Sequence, residues 1–182
     1  SVYVIEGTVN GAGSALEWAE KTLAVKDIEN QLAGWWKKET SPPLFLNGVS
    51  GLGSPFWAAD FQSRWISDGT PAAKVVAVAE SILFLIQSNL DEMKKTFTRF
   101  EQIFVSGGLS TNDVLCEKLA NLSGLPVYRP VEHEATARGL AWLVADCPGE
   151  WSEAEFGVWF KPNAIDALCA RYQRWRVAMP SL

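Results

Sequence analysis

The sequence predicts an α/β layered sheet, on three observations. Residues 102–145 run strand, helix, strand, helix: an apolar run at 102–105, a helical pattern over 111–122, a second apolar run at 126–129 and a second helical pattern over 135–145. Near the start, Val2-Tyr3-Val4-Ile5-Glu6 reads as a strand that passes through Gly11 and Gly13 into a helical period. Between these blocks, residues 71–97 carry one unbroken apolar period, a rod of about 40 Å at 1.5 Å per residue.

The first helix spans residues 12–24, with Ala15, Leu16, Ala19 and Leu23 at helical spacing behind Gly11, Gly13 and Ser14. A second covers 27–38 and ends in Trp35-Trp36-Lys37-Lys38. Ser41-Pro42-Pro43 then breaks the chain before the short apolar run Leu44-Phe45-Leu46. Ser50-Gly51-Leu52-Gly53-Ser54-Pro55-Phe56-Trp57 holds too many breakers for a helix and reads as a loop. In the long rod, Val75, Val78, Ala79, Ile82, Leu83, Leu85, Ile86, Leu90 and Met93 supply the period. Residues 147–159 read as an acidic tail, with Glu150, Glu153 and Glu155 among aromatics, and residues 163–179 return to a helical pattern.

Composition narrows the function classes. The 182 residues carry 16 Lys+Arg against 21 Asp+Glu, a formal net charge of −5, so phosphate-driven nucleic-acid binding is not expected. Hydrophobic residues at 48% and charged residues at 20% are those of a globular domain. No apolar run approaches the roughly 20 residues that cross a bilayer, and no signal-peptide pattern opens the chain, so the reading is a soluble cytoplasmic protein without a membrane partner. Ser1 in place of a methionine, running straight into a strand, reads as a piece of something longer. Cys116, Cys147 and Cys169 are too widely spaced for a zinc site or a disulfide framework. The one histidine, His133 between Glu132 and Glu134, reads as a polar loop residue, and no metal site is expected. Nine tryptophans suit cores and interfaces alike.

The segment that best carries chemistry is Val105-Ser106-Gly107-Gly108-Leu109-Ser110-Thr111-Asn112-Asp113, read as a buried strand leaving through two glycines into a helix start. Glycines there let a phosphate approach backbone amides, and the helix terminus favours negative charge. The alternative is an ordinary β–α turn with Ser110 or Thr111 as the helix cap. A second glycine turn, Gly11-Ala12-Gly13-Ser14, also follows a strand and opens a helix. Two such turns could face one nucleotide from opposite sides. Neither is a dinucleotide fingerprint or a P-loop.

Four ordered blocks resemble the C-terminal domain of the FGGY carbohydrate kinases, the family that includes glycerol kinase and xylulokinase. Tyr3-Val4-Ile5-Glu6-Gly7 with Gly13 and Trp18 is similar to that family's Y-x-x-E-G…G-x-x-x-x-W segment, and residues 50–57 to its S-G-L-G-x-P-x-W loop. Ser106-Gly107-Gly108 with Asn112 resembles its D-G-G-x-x-x-N nucleotide motif. Arg129-Pro130 followed by Glu134-Ala135-Thr136-Ala137-Arg138-Gly139-Leu140-Ala141 resembles R-P…E-x-T-A-L-G-A-A, and Phe160-Lys161-Pro162 with Tyr172 and Trp175 is similar to its last helix.

The resemblance implies an actin-like, ribonuclease-H-like domain of a two-domain kinase that transfers the γ-phosphate of ATP, with Mg2+, to a sugar or polyol hydroxyl. Residues 1–182 would be its C-terminal nucleotide-binding domain, partial and lacking its first strands. Gly108 would meet the nucleotide phosphates with its amide, Gly107 would permit the turn, and Asn112 would sit by the adenine. Gly13 would line the site from the other side, with Glu17 toward the ribose or base. Ser106 in place of aspartate, Glu17 in place of glutamine and Arg138 in place of a small residue mark a divergent member. The family's first phosphate loop, catalytic aspartate and sugar-binding residues belong to an N-terminal domain, so no catalytic residue is expected in this chain and the chain alone should be inactive. The expected partners are the sugar or polyol substrate and the protein's own N-terminal domain; a homodimer is a further expectation, and the identity of the acceptor is left open. Two other classes stay in view: a subdomain of another actin-like ATPase, and a non-catalytic aromatic-rich interaction module. In actin-like domains the first two strands lie between the third and the fourth, so a chain that starts at the third should show unpaired edges at residues 2–5 and 103–105. Expressed alone, it should be aggregated or molten.

Overall fold

A computed structural model of the chain describes residues 4–97, 99–132, 134–149, 156–163 and 166–180. Its elements follow in the order α1 (Gly13–Leu23), α2 (Ile28–Lys38), β1 (Phe45–Leu46), β2 (Arg64–Trp65), α3 (Pro71–Thr96), β3 (Ile103–Phe104), a 3-10 turn (Gly108–Thr111), α4 (Asp113–Ser123), β4 (Val127–Pro130), α5 (Ala135–Val144), β5 (Gly157–Phe160) and α6 (Asp166–Ala178). They form two compact units, one of Ser1–Arg99 with Ile165–Leu182 and one of Phe100–Ala164.

The first unit is built on α3. Thr70 caps this helix by accepting the Ala73 amide at 3.1 Å, and Pro71 occupies the first turn, where its missing N–H costs nothing. From Val75 to Leu85 every residue of α3 is buried, against α1, α2 and β1. By length and composition alone α3 could cross a membrane, contrary to the expectation from the sequence, where Lys74 and Glu80 interrupt the apolar run. However, 83% of its apolar window is buried inside the fold.

Glu80, only 1% exposed, is matched by charge: Arg171 of α6 donates through Nε to its Oε2 at 2.9 Å and through Nη2 to its Oε1, and Trp36 Nε1 donates to Oε1 at 3.2 Å. A buried carboxylate is tolerated only with such partners. Among the described tryptophans, Trp36 and Trp175 are buried, Trp18, Trp35 and Trp65 half-buried, and Trp57, Trp142 and Trp159 exposed. Trp18, Phe45 and Trp65 stack with ring centroids 4.9 to 5.3 Å apart, and the fully buried Trp175 packs on Phe84 and Tyr172 while donating to Phe45 O at 2.9 Å.

The helices fall where their periodicity puts them. The short strand β2, antiparallel to β1 with Phe45 opposite Trp65, does not show in the sequence. The strand expected at the start does not form over Val4–Glu6, where Val4 is 87% exposed; residues 1–3 lie outside the described ones. An extended run becomes a strand only with a hydrogen-bonded neighbour, and among the described residues these have none.

The second unit is a β3-α4-β4 crossover with β5 added. Its sheet order is β3-β4-β5, parallel between β3 and β4 (Ile103 opposite Val127) and antiparallel between β4 and β5 (Tyr128 opposite Trp159). A parallel pair needs such a helical crossover. β5 lies in the stretch read as an acidic tail. Gly157 is required there, because a Cβ would meet Arg129 O and the Tyr128 ring at 2.5 Å. β3 is an edge strand and Phe104 is 65% exposed, so the strand before the glycine pair is not buried as expected: among the described residues its outer side has no neighbour. Likewise α5 buries none of its residues, with Leu140, Leu143 and Val144 exposed, and a cavity of about 750 Å³ lies between it and the side chains of Phe104 and Tyr128.

Candidate functional site

The glycine turn of the second unit starts where β3 ends. Val105 N donates to Tyr128 O at 2.9 Å, and the chain then turns through Gly107 at φ +84°, a backbone conformation that favours glycine. Gly108 differs. Its φ is not in that region, and a Cβ built on it meets no heavy atom within 4 Å, so neither conformation nor packing among the described residues demands a glycine there. It is exposed and opens the 3-10 turn.

That turn is internally bonded. Ser110 N and Oγ both donate to Gly107 O, at 3.0 and 2.7 Å, and Thr111 Oγ1 donates to Gly108 O at 2.7 Å. Neither hydroxyl caps α4, as the alternative reading of this turn would have it. The cap is Asn112, whose Oδ1 accepts the Leu115 amide at 3.3 Å. A capping Asn has an amide nitrogen as well as the oxygen, so capping and ligand contact are compatible chemically.

Two further side chains hold the turn, and sequence reasoning gave neither of them that role. Arg129 of β4 donates from Nη1 to Ser110 O at 2.7 Å and pairs through Nη2 with Asp113 Oδ1 at 2.8 Å. The Cys116 thiol donates to Ser110 O at 3.3 Å; burial pushes its pKa up, which keeps it a thiol. The available signal was topological: in a parallel crossover the end of the second strand lies beside the start of the helix that precedes it.

Gly13 and Glu17 belong to the first unit, and Gly107, Gly108 and Asn112 to the second. Gly13 is the first residue of α1, exposed, and a Cβ on it also meets nothing within 4 Å; Glu17, one turn on, is exposed on the same face. Gly11 is a different case, since a Cβ would lie 2.3 Å from Val49 O and its carbonyl accepts from buried Asn47 Nδ2 at 2.8 Å. The S-G-L-G-S-P-F-W loop is likewise structural in its contacts. Ser54 Oγ accepts the Thr8 amide at 2.8 Å, Asn89 of α3 donates to Ser54 O at 3.1 Å, and a Cβ at Gly53 would press on Thr8 O. These bonds lash residues 7–11 and 47–57 onto α3 and so fix where α1 begins. Among the described residues no three His, Cys, Asp or Glu side chains converge on a metal position; His133 lies outside them.

The fold is the actin-like one of solved sugar kinases, in partial form. Aligned on the glycerol kinase of Plasmodium falciparum solved with ADP, it gives a TM-score of 0.76 at 18% identity, covering 91% of this chain and 36% of that one. On the ligand-bound xylulose kinase of Lactobacillus acidophilus the values are 0.74, 21%, 94% and 37%. The family model for the FGGY family of carbohydrate kinases, C-terminal domain, matches residues 1–145, and the chain belongs to that family. Among curated relatives, glycerol kinases of Bordetella parapertussis and Trichodesmium erythraeum are 33% and 30% identical, over 98% and 90% of this chain. The chain spans only 38% and 35% of the length of those two relatives.

Proposed function

We propose that these residues are the ATP-binding C-terminal part of a longer, cytoplasmic carbohydrate kinase that transfers the ATP γ-phosphate to a sugar or polyol hydroxyl. The single observation that carries this reading is the pair Gly13 and Gly108. Each is an exposed glycine at the first residue of a helix, where the chain's own packing has no use for a missing side chain, and each falls on a family motif position. Amides at a helix start that a ligand can approach closely suit phosphate. In this reading Gly107 supplies the turn, Gly108 meets the phosphates and Asn112 faces the adenine, while Gly13 and Glu17 are assigned to nucleotide binding by their motif positions alone.

Phosphoryl transfer rests on positioning and on charge stabilisation around the transferred group. Asp113, the carboxylate nearest the turn in sequence, is paired with Arg129. By the family resemblance, magnesium and the catalytic base are assigned mainly to the N-terminal domain, and the 182 residues alone are expected to be inactive. The exposed side of β3 and the apolar residues of α5 support a larger protein in which further chain covers them.

The test uses the full-length protein with MgATP and a panel of polyols and ketoses that includes glycerol and xylulose. Gly108→Val should fold, because its Cβ meets nothing, and should raise the KM for ATP about tenfold or more while leaving that for the acceptor near its original value. A folded variant with an unchanged KM for ATP refutes the assignment.

A further inference from the structure

One planar cation spans the glycine turn. Arg129 leaves β4 with its side chain only 16% exposed, and its guanidinium lies 5.4 Å from the centre of the Phe160 ring on neighbouring β5. From that position Nη1 reaches the carbonyl of Ser110, the third residue of the 3-10 turn, while Nη2 reaches Asp113, the first residue of α4. The backbone from Gly107 to Asp113 is thus tied on both sides of Asn112 to a single rigid fork, itself seated on an aromatic face. We propose that Arg129 is a positioning residue for nucleotide binding: it sets the shape of the turn whose amides receive the phosphates and the heading of the helix that carries Asn112.

The inference rests on the nucleotide reading above and names the group that makes that site rigid. Arginine is suited to the task where lysine is not. Its fork holds two acceptors at fixed separation and stacks on a ring, whereas an ammonium group is a point charge on a flexible stem. Ser110 O has a second partner in the Cys116 thiol, a weak donor, so the turn would loosen rather than unfold when the guanidinium is lost.

The experiment measures ADP affinity by calorimetry on the full-length protein, together with the ligand-free thermal midpoint, for the wild type, Arg129→Lys, Asp113→Asn and Gly108→Val. Arg129→Lys is expected to weaken ADP about tenfold, the loss of one hydrogen bond to a charged group, with a ligand-free midpoint close to that of the wild type. Asp113→Asn, which takes the charge from one arm of the clamp at an exposed position, is expected to weaken ADP by a smaller factor. If Gly108→Val weakens ADP and Arg129→Lys does not, the positioning role is overturned and the nucleotide site stands. If neither variant changes ADP affinity, or the wild type does not bind ADP, both are overturned. A fall in the midpoint of Arg129→Lys with unchanged ADP affinity would make Arg129 a stability residue only, against the inference.

Discussion

Asn112 is asked to do two things, and substitution can separate them. As the cap of α4 its Oδ1 takes the Leu115 amide at 3.3 Å, slightly beyond the usual 2.7 to 3.2 Å for such bonds. Caps are typically worth about 1 kcal/mol, so this one belongs in the lower half of the range, about 0.5 to 1 kcal/mol, which lowers a thermal midpoint by roughly 1 to 4 °C in a domain of this size. If the amide also reads the adenine edge, its removal leaves a buried partner unsatisfied at about 1 to 3 kcal/mol, roughly a 5- to 150-fold loss of affinity. Asn112→Ala should therefore lose both stability and affinity. Asn112→Asp keeps the capping oxygen and adds a charge that the helix start favours, so it should hold the midpoint or raise it; having no N–H donor, it should still lose ADP affinity. Calorimetric titration and thermal unfolding of the two variants in the full-length protein give the answer. Wild-type ADP affinity in Asn112→Asp would refute the base contact, and equal loss of midpoint in both variants would refute the cap.

In the first unit, Arg171→Met strands the buried Glu80 carboxylate and should cost about 3 to 5 kcal/mol in thermal or denaturant unfolding, with much of the loss recovered in Glu80→Gln/Arg171→Met. Burial, followed by the hydrogen bond to Asp91, raises the pKa of Tyr172. The unfolded chain then releases that proton near pH 10 while the fold still holds it, so stability should fall as pH rises above about 10, and Tyr172→Phe should show a shallower fall in the same window.

Much of this was legible because helices announce themselves locally. The apolar period of residues 71–97 places α3 to within a residue, and glycine after an apolar run places the turn at Gly107. What escaped was whatever depends on a distant partner. β2 has two residues, and Trp65 becomes strand only by lying opposite Phe45; β5 hides in an aromatic, acidic stretch because Val158 and Trp159 are defined by Arg129 and Tyr128 across from them. The motif residues were visible, but their division of labour was not. The loop glycine at 53 answers to a neighbouring carbonyl and the glycine at 108 to nothing in the chain, a difference that only atoms in place can show. Arg129 was visible as a motif residue, but its role was not, since its contacts lie 16 and 19 positions earlier in the sequence.

The pairing of Glu80 with Arg171 has a consequence for how the chain is made. The two are 91 residues apart, and the whole of the second unit, Phe100–Ala164, is threaded between them. At ribosomal speeds of roughly 5 to 20 residues per second, α3 emerges some 5 to 20 seconds before α6. For that interval the carboxylate at the centre of the first unit has no guanidinium, and the ring of Trp175 is not there to cover Phe84. The second unit, being continuous in sequence, can close in the meantime, so of the two units the one whose synthesis begins first is the one completed last. A stop codon or proteolytic cut just ahead of α6 would therefore injure a helix far upstream, removing from α3 the guanidinium that pairs with its buried carboxylate.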